Sequence, residues 1–166
     1  PDPHWRQPYW RYYGVLSDWV ARMSFVMSQG THVTDVAVHY PVAGLLAGEQ
    51  PGTHVPDYNH YMQLSRKIYD TGIDNDIIDD DSILRAEIAD GKLTVANNSY
   101  QALVFGPQAT VRRAVLERAL ALAQSGGCVV FCGQLPSVST ESGRNDPRLA
   151  ELLTQLLGDL PAGDAP

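Results

Sequence analysis

Residues 102–132 read ALVFGPQATVRRAVLERALALAQSGGCVVFC, in which two short apolar runs flank a longer amphipathic one. The apolar runs at 102–107 and 126–132 are bounded by glycine or proline, which is typical of buried strands. Between them, Val111 to Gln124 carries apolar residues at three- and four-residue spacing, which predicts a helix. A helix that joins two buried strands predicts that the strands are parallel, because parallel neighbours need a crossover connection.

The same alternation extends outward in both directions along the chain. Helical patterns cover residues 9–29 and 57–71, and a last helix opens at Asp146-Pro147. Strand patterns cover 35–40 and 73–79, and Asp90-Gly91 marks a turn. Strands that alternate with helices predict a three-layer α/β sandwich with a mainly parallel sheet, of the flavodoxin-like or Rossmann-like kind.

Composition excludes several classes of partner. The 166 residues suffice for one domain with its own core. The net charge of −7 and the lack of a Lys/Arg cluster argue against nucleic acid and anionic membranes as partners. No run of about 18 apolar residues is present, so we predict no membrane span. Cys128 and Cys132 lie about 13 Å apart on a predicted strand, too far for a disulfide, and we predict buried thiols.

Aromatic residues crowd the beginning of the chain, which starts at Pro1 rather than at a methionine. They lie in the first nineteen residues: Trp5, Tyr9, Trp10, Tyr12, Tyr13 and Trp19. An end helix of one domain has little surface on which to bury so many rings. We therefore expect a piece of a larger protein, whose first helix closes a preceding domain. The alternative is that this helix packs on the domain's own core.

The loops at the carboxyl ends of the predicted strands are the usual place for a site in such a sheet. No glycine-rich phosphate-binding motif follows a strand, so we predict no nucleotide cofactor. Gly106-Pro107 stands where receiver-type phosphoryl transfer needs an aspartate. No histidine follows Phe105, which leaves Cys128 and Cys132 without a nearby catalytic partner. The five histidines show no tight metal-ligand spacing, so we predict no metal site.

A run of three aspartates, Asp79, Asp80 and Asp81, lies between a predicted strand and a predicted helical turn. Aspartate at a helix start caps the first free N–H groups and suits the positive end of the helix dipole. Capping is the favoured interpretation, and binding of calcium or of sugar hydroxyls is the alternative.

Several stretches, taken in order, resemble the α-L-rhamnosidase-like large multidomain glycoside hydrolases. The module after the first helix also resembles the class I glutamine-amidotransferase-like domain that follows the barrel in several β-galactosidases. The resemblance covers about residues 1–140. It rests on these stretches: WVARMSFVMSQG (19–30), TDVAVHYP (34–41), IIDDDSIL (77–84), DGKL (90–93), YQALVF (100–105) and GGCVVF (126–131).

The resemblance implies a domain organisation and partners. Residues 1–30 would be the last loop and helix of a preceding TIM barrel, 31–160 an α/β accessory domain, and 161–166 a linker. The partners would be that barrel in the same chain and the carbohydrate substrate of the parent enzyme, a terminal α-L-rhamnoside. The Cys elbow of the amidotransferases is replaced by Gly106-Pro107, so glutamine hydrolysis is not implied.

The resemblance also suggests substrate-binding residues. A first loop on the active-site face of a barrel makes His4, Trp5 and Trp10 candidates for lining a sugar pocket. Asp79 and Asp80 are candidates for binding sugar hydroxyls. No residue is assigned a catalytic role, because the two carboxyl groups of a glycosidase would come mainly from the barrel.

Two other functions stay open at this stage. One is a non-enzymatic flavodoxin-like interaction or oligomerisation module that uses the aromatic helix as its partner surface. The other is an autonomous α/β enzyme that uses the aspartate run. The sequence does not distinguish a secreted or periplasmic location from a cytoplasmic one.

Overall fold

A computed structural model describes residues 6–47 and 60–158 of the chain. The chain divides into two compact units, Pro1–Val33 and Thr34–Pro166. The predicted domain boundaries, and the assignment of the first segment to a barrel, stay predictions.

Unit 1 consists of a 3-10 turn at Trp10–Tyr12 that leads into helix α1 (Tyr13–Met27). One broad side of α1 is apolar, and its side chains are 43–77% exposed: Val15, Leu16, Trp19, Val20, Met23, Val26 and Met27. Among residues 6–33, α1 is the only α-helix and no strand is present. The α1 apolar face, defined by these seven residues, therefore has no second α-helix or strand to pack against within the described part of its own unit.

Unit 2 contains ten strands and five helices within its described residues. The strands are β1 (Val36–His39), β2 (Asn75–Ile78), β3 (Glu87–Ala89), β4 (Lys92–Val95), β5 (Asn98–Tyr100), β6 (Ala102–Phe105), β7 (Thr110–Val111), β8 (Cys128–Phe131), β9 (Val138–Ser139) and β10 (Gly143–Arg144). The helices are α2 (Val42–Leu46), α3 (His60–Asp70), α4 (Asp80–Arg85), α5 (Arg113–Gln124) and α6 (Pro147–Leu157).

The central sheet has four parallel strands in the order β2-β1-β6-β8. Its register pairs Ala37 with Leu103 and Leu103 with Val129, so these three side chains share one face. On that face, Leu103 and Phe105 join α4, α5 and the β3–β4–β5 sheet in the main core. Val-, Leu- and Ile-rich strands form here because both faces of the inner strands are covered.

Helix α3 covers the opposite face of the sheet. Ser65 of α3 donates a hydrogen bond to Asn75 Oδ1 at 2.6 Å, and Asn75 is paired with Val36 on the face away from Ala37. Helices therefore flank the parallel sheet on both sides. The predicted three-layer α/β sandwich is confirmed.

An antiparallel sheet of β3, β4 and β5 closes one end of the core. Asp90 and Gly91 both have positive φ, 51° and 73°, which is the backbone of a two-residue hairpin turn. Tyr100 is buried, and its hydroxyl donates to Asp76 Oδ2 at 2.9 Å, which connects β5 to β2. Burial raises the pKa of Tyr100.

Two glycines allow this small sheet to touch the turn between α5 and β8. A Cβ atom on Gly127 would lie 2.8 Å from the carbonyl oxygen of Gly91 and would also overlap the side chain of Leu122. Such a separation is too short for a carbon atom, so only glycine fits at Gly127.

The start of α6 is fixed by the carboxylate of Asp146. It accepts hydrogen bonds from the hydroxyl of Ser139 at 2.6 Å, from Nη1 of Arg113 at 2.9 Å and from the N–H of Arg148 at 3.0 Å. Pro147 occupies the first turn, where its missing N–H costs nothing. One side chain thus connects the beginnings of α5 and α6 with strand β9.

Several details differ from the sequence-based expectation. Residues 42–46 form the short helix α2 rather than a loop, and the predicted loop 133–145 contains β9 and β10. The helix predicted from Val111 begins at Arg113, because Thr110–Val111 pair with β9 as strand β7. The rest of the predicted loop 42–56, from residue 48 onward, and the predicted N-cap Asp57 lie outside the described residues. Cys128 is exposed and Cys132 is half-buried, so the prediction of buried thiols is wrong. The reason is that β8 is an edge strand, and Val130 on the same face as Cys128 is also exposed.

Candidate functional site at the carboxyl edge of the sheet

The carboxyl edge of the sheet brings together the residues that follow its four strands. Open α/β sheets bind ligands beside this edge, where successive crossovers leave in opposite directions. Here that point lies between β1 and β6, because β2 lies on one side of β1 and β6 on the other. Strand β1 ends at His39, β2 is followed by Asp79 and Asp80, and β6 is followed by Gly106-Pro107.

His39 and Asp80 form a buried pair at this edge. His39 is 1% exposed, and its Nε2 lies 2.6 Å from Oδ1 of Asp80. A carboxylate only accepts, so Nε2 carries the shared proton when Asp80 is ionised. The ring also packs beside Phe105, with centroids 4.9 Å apart. Nδ1 is buried and has no hydrogen-bond partner among the described residues.

The neighbouring aspartates serve other parts of the fold. Asp79 is the N-cap of α4, and its Oδ1 accepts from the N–H of Ser82 at 2.8 Å. Hydrogen bonds from Ser82 lower the pKa of Asp79. Asp81 pairs with Nη1 of Arg112 at 3.0 Å on the surface. The capping interpretation therefore holds for Asp79. It does not hold for Asp80 and Asp81, whose carboxylates pair with His39 and Arg112.

Of the five candidate substrate-binding residues, the structure describes three, which lie in two separate units. His4 and Trp5 lie outside the described residues. Trp10 lies in unit 1, where its ring stacks on Tyr13 with centroids 5.2 Å apart. Asp79 and Asp80 lie at the carboxyl edge in unit 2. Their role in binding a sugar stays a prediction.

Two features of the edge were not predicted. One is His39 as the partner of Asp80, which lies 41 residues away in the chain. The other is a cavity of about 270 Å³ between α3 and the turns after β6 and β8. Its described lining residues are Gln63, Leu64, Lys67, Pro107, Cys132 and Gly133. The alternation along β1 places His39 on the same face as Ala37. This was the only signal in the sequence that could have indicated a buried His39.

The described ranges 6–47 and 60–158 contain neither a cluster of metal ligands nor a helix that could span a membrane. No group of three or more His, Cys, Asp or Glu side chains is arranged there to hold a metal ion. None of the helices in these ranges has the length and apolar character needed to cross a bilayer.

Comparison with known proteins gives a distant structural likeness to a glycoside hydrolase. No protein-family model matches the chain, and no curated protein matches it. Among solved structures, the chain is similar to the crystal structure of a β-galactosidase from Bifidobacterium adolescentis, with a TM-score of 0.49 and 16% sequence identity. The match covers 74% of this chain and 54% of that one, so it spans about half of the β-galactosidase. This is a distant likeness to a glycoside hydrolase, and it identifies no activity or substrate for this chain.

Proposed function

We propose that this chain is a non-catalytic accessory domain of a glycoside hydrolase, and that α1 packs against a barrel domain that precedes it in the same polypeptide. The observation that carries the proposal is the exposed α1 apolar face, whose seven side chains are 43–77% exposed. A contiguous group of seven exposed apolar side chains on one side of a helix is typical of a surface that a partner covers.

The carboxyl edge supports the non-catalytic part of the proposal. A glycosidase needs two carboxyl groups about 5–10 Å apart that flank the scissile bond. Asp79 caps a helix, Asp80 is buried against His39, and Asp81 is paired with Arg112. Each of these carboxylates has a structural partner within the domain. We therefore assign the two catalytic carboxyl groups to the barrel of the parent enzyme.

The identity of the parent rests on the order of the resembling stretches in the sequence. We propose that it hydrolyses terminal α-L-rhamnosides. The same module after a barrel in β-galactosidases makes a β-galactoside the competing substrate. The two are separated by an assay of the natural polypeptide on p-nitrophenyl α-L-rhamnoside and p-nitrophenyl β-D-galactoside, with the 166-residue chain alone as the inactive control.

The first experiment is the mass of the natural polypeptide. An antibody raised against the 166-residue chain is used to immunoblot source-cell extract and culture medium. A band far heavier than 18.2 kDa is expected. A band at 18.2 kDa would refute the accessory-domain proposal, and the α1 apolar face would then favour the second candidate, an interaction module that binds a separate partner.

The autonomous-enzyme alternative has its own test in this chain. If the aspartate run were catalytic, Asp79→Asn and Asp80→Asn would abolish an activity that the 166-residue chain shows by itself. We expect no such activity in the unsubstituted chain.

A further inference from the structure

The cavity at the carboxyl edge lies near the boundary between the strand pair β2–β1 and the strand pair β6–β8. Helix α3, which covers β1 and β2, forms one wall with Leu64 and Lys67. The turns after β6 and β8 form the other wall with Pro107 and Gly133. Its position therefore matches the crevice in which open α/β sheets bind ligands.

The wall of this cavity combines apolar surface with an unpaired cation. Leu64 and Pro107 supply the apolar part, and Gln63 and Lys67 supply hydrogen-bond donors. Within residues 6–47 and 60–158, Lys67 forms no ion pair, whereas the adjacent Arg66 is paired with Asp70 at 2.8 Å. An unpaired ammonium in a chain of net charge −7 favours an anionic ligand at this place.

The lining also indicates what the ligand is not. None of the described lining residues is aromatic, so the described part of the wall offers a neutral sugar ring no flat face on which to stack. The volume of about 270 Å³ lies just below the range of roughly 300–1,000 Å³ that is usual for ligand pockets. One cation and this volume suit a compact acid with a single charge rather than a nucleotide.

We propose that this cavity binds a small monocarboxylate. The carboxylate pairs with the ammonium of Lys67 and accepts a hydrogen bond from the amide of Gln63, and the apolar body of the ligand lies against Leu64 and Pro107. This site is independent of the proposed role in a glycoside hydrolase, because it uses neither α1 nor the aspartate run.

The test compares two ligands of equal shape and different charge. The 166-residue chain, labelled with nitrogen-15, is titrated with benzoate and separately with its neutral isostere benzamide. Benzoate is expected to shift the backbone amide signals of Leu64 and Gly133. Benzamide is expected to bind about tenfold more weakly or worse, because it carries no charge to pair with the ammonium of Lys67, and charge-assisted hydrogen bonds are the stronger ones.

Lys67→Met and Lys92→Met form a matched pair, because Lys92 is the only other lysine and is exposed on β4. Lys67→Met should weaken benzoate about tenfold, to the level of benzamide, while Lys92→Met leaves it unchanged. The proposal is overturned if benzoate and benzamide bind with equal affinity, or if Lys67→Met binds benzoate as tightly as wild type does. It is also overturned if neither ligand shifts the amide signals of Leu64 and Gly133 up to the solubility limit of benzoate. The comparison of the two ligands on the wild-type chain holds even if a variant fails to fold.

Discussion

The imidazole of His39 depends on one carboxylate for its hydrogen bonding. It is 1% exposed, and Asp80 is its partner at 2.6 Å. Loss of that partner leaves a buried N–H unpaired, which costs more than the loss of an exposed ion pair. Adjacent aspartates should therefore differ sharply in their effect on stability.

Replacement of Asp80 by alanine should lower the free energy of unfolding by about 1–3 kcal/mol, because His39 Nε2 loses its acceptor in the core. Replacement of the exposed Asp81, whose partner is Arg112, should cost less than about 1 kcal/mol. Urea denaturation of unit 2 by circular dichroism measures both. Equal effects of the two substitutions would contradict the structural role given to Asp80.

Asp146 makes the stability of unit 2 depend on pH. The hydrogen bond from Ser139 lowers the pKa of Asp146 in the folded state. The unfolded chain, with the ordinary value of about 3.9, therefore binds this proton at a higher pH than the folded chain does. The stabilisation is complete above the unfolded value and is lost as the pH falls through the folded one.

Wild-type protein should consequently lose more stability than Asp146→Asn when the pH falls from about 5 to about 3, over the titration range of the unfolded carboxyl group. Urea denaturation at several pH values measures the difference. Glu151→Gln, at an exposed position on α6, is the control and should follow the wild-type curve. Parallel curves for wild type and Asp146→Asn would show that Asp146 contributes no pH dependence.

At the scale of elements, the contact between the β3–β4 turn and the α5–β8 turn depends on the missing side chain of Gly127. Gly127→Ala should lower the free energy of unfolding by about 1–3 kcal/mol, because the methyl group overlaps Leu122 and the Gly91 carbonyl. Gly106→Ala is the control, since its Cβ would meet Leu64 at an ordinary 3.5 Å. Thermal melts that rank the two variants in the opposite order would refute this account.

Apolar periodicity predicted the strands of the parallel sheet and the helix between them. It did not predict which strand lies at the edge or that α2 is helical. Within residues 102–132, the strands β6 and β8 and the helix α5 form as expected, because apolar spacing reports which sides of an element are buried. The two-residue strand β7 is too short to give a periodic pattern and was not predicted. An apolar run has the same pattern in a central and in an edge strand, so the exposure of Cys128 could not be seen. The helix α2 was missed because Pro41 and Gly44 give that segment the composition of a loop.

The candidate site was less predictable than the fold. Asp79 as a helix cap follows from local sequence, since its partner Ser82 is three residues away. The pairing of His39 with Asp80 and the cavity beside Lys67 depend on which strands become neighbours. No short-range pattern carries that information, because the crossovers determine the strand order.

At the scale of the whole molecule, a chain that begins at Thr34 should fold and unfold cooperatively, because it retains the sheet and its core. It should also be more soluble than the 166-residue chain, since the α1 apolar face is removed. Thermal denaturation and the concentration at which each protein precipitates measure this. Loss of cooperative unfolding would indicate that α1 is an integral part of the domain and would support the alternative given above.

A second truncation is the matched control for the first. Removal of α6 by ending the chain at Asn145 takes away Leu149, which is 2% exposed in the core. This truncation should abolish cooperative unfolding, which shows that the assay detects the loss of an integral helix.

The edge position of β8 gives the molecule a natural labelling site. Cys128 is exposed on an outer strand, whereas Cys132 is half-buried beside the cavity. After Cys132→Ser, a maleimide dye would attach to the folded chain at one defined position beside the sheet. The polarity and rotation of that dye would then report any protein surface that comes to lie along β8 when the chain is part of a larger assembly.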